Sequence, residues 1–237
     1  MAYSYEEVMN IVSDVLGTDA EMLAIHDDAA YGNIDMFDMP IYVSRNCDEF
    51  DVDAGYPDYH ICAGRTKFII EPKDLKYVIK IPFTHRWYED KNDGETYFKE
   101  VQYDILGEEE NIYNQVSENV REFLLPNTFI GFFNRIPIYI QDKVDETLGQ
   151  KSCLFTYANL SPLDKKKVSY LDSHTYSDIA GVYLIPYIEK MGMRKLIKTM
   201  SEIDNELSDL HDDNWGFIND EIRIIDYGGY SSQALWG

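Results

Sequence analysis

Short runs of β-branched and aromatic residues in the first half of the chain constrain its fold most strongly. Three of these runs follow one another closely and are separated only by turn residues; they cover Tyr59 to Ala63, Thr66 to Glu71 and Tyr77 to Phe83. This pattern predicts short strands joined by tight turns. Two further runs, TFIGFF and IPIYIQDKV, flank the turn residues Asn134 and Arg135 and predict two more strands. The first half is therefore expected to form an antiparallel sheet.

Helical periodicity marks the N-terminus, one segment within the strand-rich half and much of the second half. The N-terminal pattern begins at a capping box formed by Ser4 and Glu7, and Gly17 ends it. A second capping box predicts a short helix from Thr18 to about Ile25, and a short strand is predicted near Ile41 to Ser44. Longer helices are predicted over Glu95 to Val120, Tyr176 to Met191 and Met193 to Leu207.

The last predicted elements are two strands that form a hairpin. Their sequences are WGFI and IRIID, and Asn219 and Asp220 between them tolerate the left-handed backbone of a tight turn. A strand-rich part followed by a helical part is an α+β pattern with a cleft between two lobes. The expected divisions are a helical extension with an acidic loop over 1–56, a sheet lobe over 57–144 and a reduced helical lobe over 145–237.

Net charge limits the partners of such a chain. Lys and Arg number 21 and Asp and Glu number 43, which gives a net charge of −22. Phosphate backbones and anionic membranes are repelled by this charge, so neither nucleic acid nor a membrane is an expected partner. The chain has no apolar run of membrane-spanning length, no basic region typical of a secretory signal and no CxxC pair among its three cysteines. These features favour a cytoplasmic protein with free thiols.

The strongest candidate site surrounds the predicted C-terminal hairpin. Asp209 and Asn214 follow the last predicted helix, and Asp226 follows the second strand of the hairpin. A hairpin brings its two ends together, so Asn214 and Asp226 should meet at one end, with Asp209 on the loop beside them. Two carboxylates and an amide oxygen form a hard, oxygen-rich site that suits Mg²⁺. The histidines show no spacing such as H-x-x-x-H, so a transition-metal site is not expected.

Two motifs in this region resemble those of the protein kinase-like superfamily. The catalytic loop of that family reads H-R-D-L-x-x-x-N, and the chain has L-S-D-L-H-D-D-N over 207–214. The metal motif of the family, D-F-G, is similar to Asp226-Tyr227-Gly228. The resemblance implies that Asp209 is the base that orients an acceptor hydroxyl, and that Asn214 and Asp226 bind Mg²⁺.

A lysine within an apolar strand extends the resemblance to the first half. The run YVIKI over 77–81 is similar to the family's V-A-I-K strand, which implies that Lys80 holds the α- and β-phosphates of ATP. Its partner would be a glutamate on the following helix, where Glu108, Glu109 and Glu110 are the candidates. Glu109 is favoured because the apolar residues three and four positions further on then face the core.

Other positions complete the implied nucleotide site. The strand IPIYIQDKV is similar to the strand that leads into the hinge between the lobes, so the carbonyl of Asp142 and the amide of Val144 would face adenine. The family's G-x-G-x-x-G loop is absent, and only Gly64, followed by Arg65, is available to meet phosphate between the first two strands. His211 stands where the family often has a lysine that meets the γ-phosphate.

The resemblance implies a bilobal α+β fold with an N-terminal antiparallel sheet, one αC-like helix and a reduced helical C-lobe. Nine residues follow Gly228, without the A-P-E motif or the long activation segment that supports peptide substrates. The implied activity is ATP- and Mg²⁺-dependent transfer of the γ-phosphate to a hydroxyl of a protein or a small molecule, with nucleotidyl transfer also open. The alternative is a pseudokinase that binds a nucleotide or a partner without turnover.

Overall fold

The computed structural model describes residues 3–26, 41–43, 48–50, 56–64, 66–89, 94–101, 104–147, 159–172, 180–200 and 214–227. This part of the chain is mixed α+β, with three sheets and six helices. The chain divides into two compact units. The first comprises Met1–Glu108 and Asn127–Lys143, and the second comprises Glu109–Pro126 and Val144–Gly237. No helix among the described residues is long and apolar enough to cross a membrane.

The first unit contains helix α1 and two sheets in its described residues. Helix α1 covers Tyr5–Leu16, and the ten strands are β1 (Leu23–His26), β2 (Ile41–Val43), β3 (Asp48–Phe50), β4 (Tyr59–Ala63), β5 (Lys67–Pro72), β6 (Tyr77–Pro82), β7 (His85–Glu89), β8 (Thr96–Glu100), β9 (Asn127–Phe133) and β10 (Ile136–Asp142). Sheet I has the strand order β3-β2-β1-β7-β8, and sheet II has the order β4-β5-β6-β10-β9. All neighbouring strands of sheet II are antiparallel, whereas β1 and β7 of sheet I run parallel. The predicted antiparallel sheet is confirmed in sheet II.

Helix α1 and one face of sheet II form the core of the first unit. The side-chain oxygen of Ser4 caps the helix, and Gly17 ends it with φ +86°, as the sequence predicts. The apolar side of the helix shares one cluster with the isoleucines that alternate along the strands of sheet II. Each fully buried aliphatic side chain of this kind contributes roughly 1.5–3 kcal/mol. Because successive side chains alternate between faces, the residues between these isoleucines lie on the opposite face of the sheet.

The second unit is mainly helical and includes the C-terminal hairpin. Its helices are α2 (Ile105–Gln115, which begins in the first unit), α3 (Glu118–Arg121), α4 (Pro162–Asp172), α5 (Ala180–Met191) and α6 (Met193–Met200). Its strands, β11 (Glu146–Thr147), β12 (Trp215–Ile218) and β13 (Glu221–Ile224), form antiparallel sheet III in chain order. Asn219 and Asp220 have φ values of 51° and 63°, which confirms the predicted tight turn.

One helix prediction in the first half is wrong and another is wrong in part. The segment predicted as a helix from Thr18 to Ile25 contains β1, because Leu23 and Ile25 are buried in a strand that pairs with β2 and β7. The helix predicted from Glu95 begins only at Ile105, because Thr96–Glu100 pairs with β7 as strand β8. Tertiary strand pairing therefore overrides a weak helical pattern at both places.

Candidate functional site

Lys80 lies at the centre of sheet II. It belongs to β6, the middle strand of the five and the third in chain order, with Ile69 and Tyr139 opposite it on the two neighbouring strands. Its side chain is only 3% exposed. A buried ammonium is costly unless charged or polar groups compensate it, so this lysine is not a surface residue of an edge strand.

The face of sheet II that carries Lys80 differs in character from the core face. Ile79 and Ile81, on either side of Lys80, are fully buried in the cluster shared with α1. Lys80 itself shares its face with Tyr139, whose hydroxyl donates a 2.5 Å hydrogen bond to the carboxylate of Asp104. This face therefore combines a buried cation with polar groups, as a binding surface does, while the opposite face is a packed core.

The turn between β4 and β5 contains Gly64. Its backbone N–H donates a 2.9 Å hydrogen bond to the carbonyl of Lys67, which closes the turn. A Cβ at this position would approach only that carbonyl, at 3.9 Å, so the turn itself does not require glycine. Arg65 lies outside the described residues. Lys67, a second buried lysine, begins β5 and was not among the predicted site residues.

Glu109 stands out among the three glutamates proposed to pair with Lys80. Its side chain is 0% exposed, whereas Glu108 and Glu110 are half-buried. All three lie on α2, and Glu109 is the one of them whose side chain is buried. A fully buried carboxylate requires compensating polar groups, which makes it a strong candidate for a functional charge.

The C-terminal hairpin joins the two predicted metal-binding segments. Asn214 directly precedes β12 and is 5% exposed. The backbone N–H of Ile225 donates a 2.8 Å hydrogen bond to the carbonyl of Asn214, so the residue before Asp226 is held against Asn214. Trp215 and Phe217 are buried and belong to the core of the second unit.

Packing against the segment around Val144 fixes the position of this hairpin. A Cβ at Gly216 would lie 2.6 Å from Cγ1 of Val144, so only glycine fits at this point of β12. The backbone N–H of Asp145 donates to the carbonyl of Phe217 at 2.7 Å, and its carboxylate accepts from the N–H of Asn219 at 2.8 Å. The sequence gives no local signal for this requirement, since Val144 lies far from Gly216 in the chain.

The two residues predicted to face adenine lie on either side of the division between the units. Asp142 ends β10 in the first unit and is exposed. Val144 belongs to the second unit, where it contacts Gly216. The chain therefore passes from one unit to the other at the place where the sequence predicts the hinge.

Tyr227 follows Asp226 in the motif predicted to bind metal, and charged residues of helix α2 affect the pKa of its phenol. Its ring is buried, and its hydroxyl donates a 3.2 Å hydrogen bond to the carbonyl of Leu125. Burial raises the pKa of Tyr227 well above its usual range, and the nearby charges of Glu109 and Asp226 raise it further. The charges of Glu109 and Asp226 therefore both raise the pKa of the Tyr227 phenol. These two predicted site residues thus lie near the same side chain of the second unit.

Asn214 and Asp226 supply the oxygen ligands that Mg²⁺ prefers. The described residues contain no group of three or more His, Cys, Asp or Glu side chains that could hold a metal ion. Mg²⁺ is commonly bound through only one or two carboxylates, with phosphate oxygens and water completing its shell. The carboxylate of Asp226 and the amide oxygen of Asn214 are ligand types that suit this mode of binding. Asp209, His211 and Gly228 lie outside the described residues.

No protein-family profile, no curated protein and no solved structure matches this chain.

Proposed function

We propose that this protein is an ATP- and Mg²⁺-dependent phosphotransferase that acts on a hydroxyl acceptor. One observation carries the proposal. Six polar or charged side chains are buried among the described residues, and three of them, Lys80, Glu109 and Asn214, are residues that the sequence assigns to the nucleotide site. Burial of such groups costs free energy, and functional sites are where proteins most often accept that cost.

Each residue has a role in the proposed reaction. Lys80 holds the α- and β-phosphates, and Glu109 is its ion-pair partner. Asn214 and Asp226 hold Mg²⁺, and Asp209 aligns the attacking hydroxyl and accepts its proton. Bound Mg²⁺ would neutralise phosphate charge, which also lets a chain with a net charge of −22 accept a nucleotide.

The remaining assigned residues contact the rest of the nucleotide. The carbonyl of Asp142 and the amide of Val144 face adenine. Gly64 and Arg65 meet the phosphates from the turn between β4 and β5, and His211 meets the γ-phosphate. Protonation of His211 would strengthen that last contact, because the imidazolium carries a positive charge.

A nucleotide-binding module without turnover is the second candidate. It is favoured by the turn at Gly64, which has one glycine and does not need it for backbone geometry. A phosphate-covering loop relies on several glycines so that backbone amides can approach the phosphates closely. With a single glycine in this turn, the protein would bind Mg-ATP but would hold the γ-phosphate poorly for transfer.

The test is phosphate release and transfer from γ-labelled ATP in the presence of Mg²⁺. We expect the wild-type protein to hydrolyse ATP or label an acceptor, and Asp209→Ala and Asp226→Ala to lower the rate on the order of a hundredfold or more. Asp74→Ala, at a turn outside the proposed site, is the control and keeps the wild-type rate.

Two readouts separate the candidate functions. A wild-type rate no higher than that of the two variants contradicts the phosphotransferase proposal. If Mg-ATP still raises the melting temperature in that case, the binding module is supported. If Mg-ATP causes no shift either, both candidates are wrong.

A further inference from the structure

A cavity lies in the first unit, apart from every residue assigned above. It measures about 820 Å³ and is lined by the ends of strands from both sheets and by Asp104, the residue that precedes α2. Much of its wall is apolar and includes Met22, Phe83, Phe98 and Val101. Cavities that bind small molecules in proteins typically have volumes of roughly 300–1,000 Å³ and apolar walls with a few placed polar groups. The size and the lining of this cavity match that description.

His85 is one of these polar groups, and its hydrogen bond assigns the tautomer of its ring. The hydroxyl of Thr84 donates to the carbonyl of Leu23 at 3.1 Å and accepts from the N–H of Leu23 at 2.9 Å. Nδ1 of His85 lies 2.9 Å from the same hydroxyl oxygen. With the hydroxyl proton directed to the carbonyl of Leu23, Nδ1 is the donor in this contact, and the neutral ring then carries its lone pair on Nε2.

The charge state of His85 is consistent with this assignment. Burial lowers the pKa of His85, and the nearby carboxylate of Glu100 opposes that effect. The ring is therefore neutral at pH 7 and offers Nε2 as a hydrogen-bond acceptor.

Glu100 adds a second acceptor beside the imidazole. It lies directly opposite His85 in the antiparallel β7–β8 pair, so the two side chains are neighbours on one face of sheet I. Glu21 and Asp104 contribute two more carboxylates to the cavity lining, and Asp104 already accepts hydrogen bonds from Tyr139 and from two backbone N–H groups at the start of α2.

Among the described residues that line the cavity, Arg135 is the one cationic side chain, and it lies in the turn between β9 and β10. The polar lining therefore consists mostly of hydrogen-bond acceptors with negative charge.

We propose that this cavity binds a small organic amine, with the protonated amino group at Glu100 and His85 and an apolar or aromatic body against Phe83, Phe98 and Val101. A primary ammonium donates three hydrogen bonds and carries the charge that the carboxylates favour. The apolar part of the ligand would displace water from the apolar side chains that line the cavity. This site is independent of the proposed phosphotransferase activity, since it shares no residue with the nucleotide site.

The experiment compares three probes of similar size by isothermal titration calorimetry on the full chain at pH 7. The probes are 2-phenylethylamine, the neutral 2-phenylethanol and the anionic phenylacetate. We expect the amine to bind about tenfold or more tightly than the alcohol, with no binding of the anion, because a hydrogen-bonded charge is worth more than a neutral contact. Equal binding of the amine and the alcohol, or no binding of the amine at 10 mM, overturns the proposal.

Two variants test the location of the site. Glu100→Gln keeps the shape of an exposed side chain and removes its charge, and should weaken amine binding by about tenfold. Val101→Phe narrows the cavity and should abolish binding. Glu6→Gln, an exposed carboxylate on α1, is the control and should bind as the wild type does. Wild-type affinity in both Glu100→Gln and Val101→Phe means that the amine binds elsewhere, and overturns the proposal.

Discussion

The strand that carries Lys80 and the hairpin that carries Asn214 hold their polar residues by different means. Strand β6 lies between β5 and β10 in the middle of a five-stranded sheet, so many backbone hydrogen bonds and a packed core fix Lys80. The hairpin has two strands of four residues. Its apolar side chains also pack in a core cluster, but its backbone is held by one tight turn, one glycine and a few contacts. The hairpin should therefore be the more sensitive of the two regions to single substitutions.

The largest expected effect on stability comes from Gly216→Ala. The added Cβ would lie 2.6 Å from the side chain of Val144, so the hairpin or the neighbouring segment must move. We expect a loss of about 2–3 kcal/mol in the free energy of unfolding, measured by urea denaturation.

Two further variants make this prediction specific. Val144→Ala should recover part of the loss in the double variant, because it removes the atoms that clash. Gly64→Ala, in the turn of sheet II, should change stability by less than about 0.5 kcal/mol, since its Cβ would meet nothing closer than 3.9 Å. Equal losses for Gly216→Ala and Gly64→Ala would contradict the contrast between the two regions.

A smaller effect is expected on the sheet side, from Asp104→Ala. The carboxylate of Asp104 accepts from the N–H groups of Leu106 and Gly107, each at 3.1 Å, and from the hydroxyl of Tyr139. Its removal uncaps α2 and should cost about 1–2 kcal/mol in the free energy of unfolding. Ser117→Ala is the matched control, because Ser117 precedes α3 without a side-chain capping bond, and it should leave the urea midpoint almost unchanged.

The smallest effect concerns Tyr227. Tyr227→Phe removes one hydrogen bond to Leu125 and should cost about 1 kcal/mol at neutral pH. Since the pKa of Tyr227 in the folded protein is raised above the ordinary tyrosine value of 10.0, its contribution to stability is complete below pH 10.0 and is lost as pH rises further. Wild-type stability should therefore fall more steeply above pH 10.0 than that of Tyr227→Phe, as followed by urea midpoints. Parallel curves for the two proteins would show that this phenol is not perturbed, and Tyr3→Phe at an exposed position is the control.

The sequence predicts the strands of sheet II and the C-terminal hairpin because their signals are local. Each is a run of β-branched and aromatic residues bounded by turn residues, and the alternation of isoleucine with other residues in β6 already separates Lys80 from the core face. The burial of Glu109 follows from helical spacing in the same way.

Sheet I and the surroundings of the hairpin depend on contacts that the sequence does not display. Strand β1 pairs in parallel with β7, a distant partner, and β8 pairs with β7 although it lies within the segment predicted as a helix. The need for glycine at 216 comes from Val144, and the environment of Tyr227 comes from α2. These are effects of tertiary packing, which no local pattern reports.

We propose that Lys80 and Asp226 contribute to binding of the same nucleotide, and the affinity for ATP is the sharpest test of this proposal. Isothermal titration calorimetry would measure ATP binding to the wild type, Lys80→Met and Asp226→Asn, each with Mg²⁺ and with EDTA. We predict that the wild type binds ATP with Mg²⁺, and that EDTA and either substitution weaken binding by about tenfold or more, because each removes a charge that compensates the phosphates. An affinity that is unchanged in both variants, or no binding by the wild type, would contradict the account.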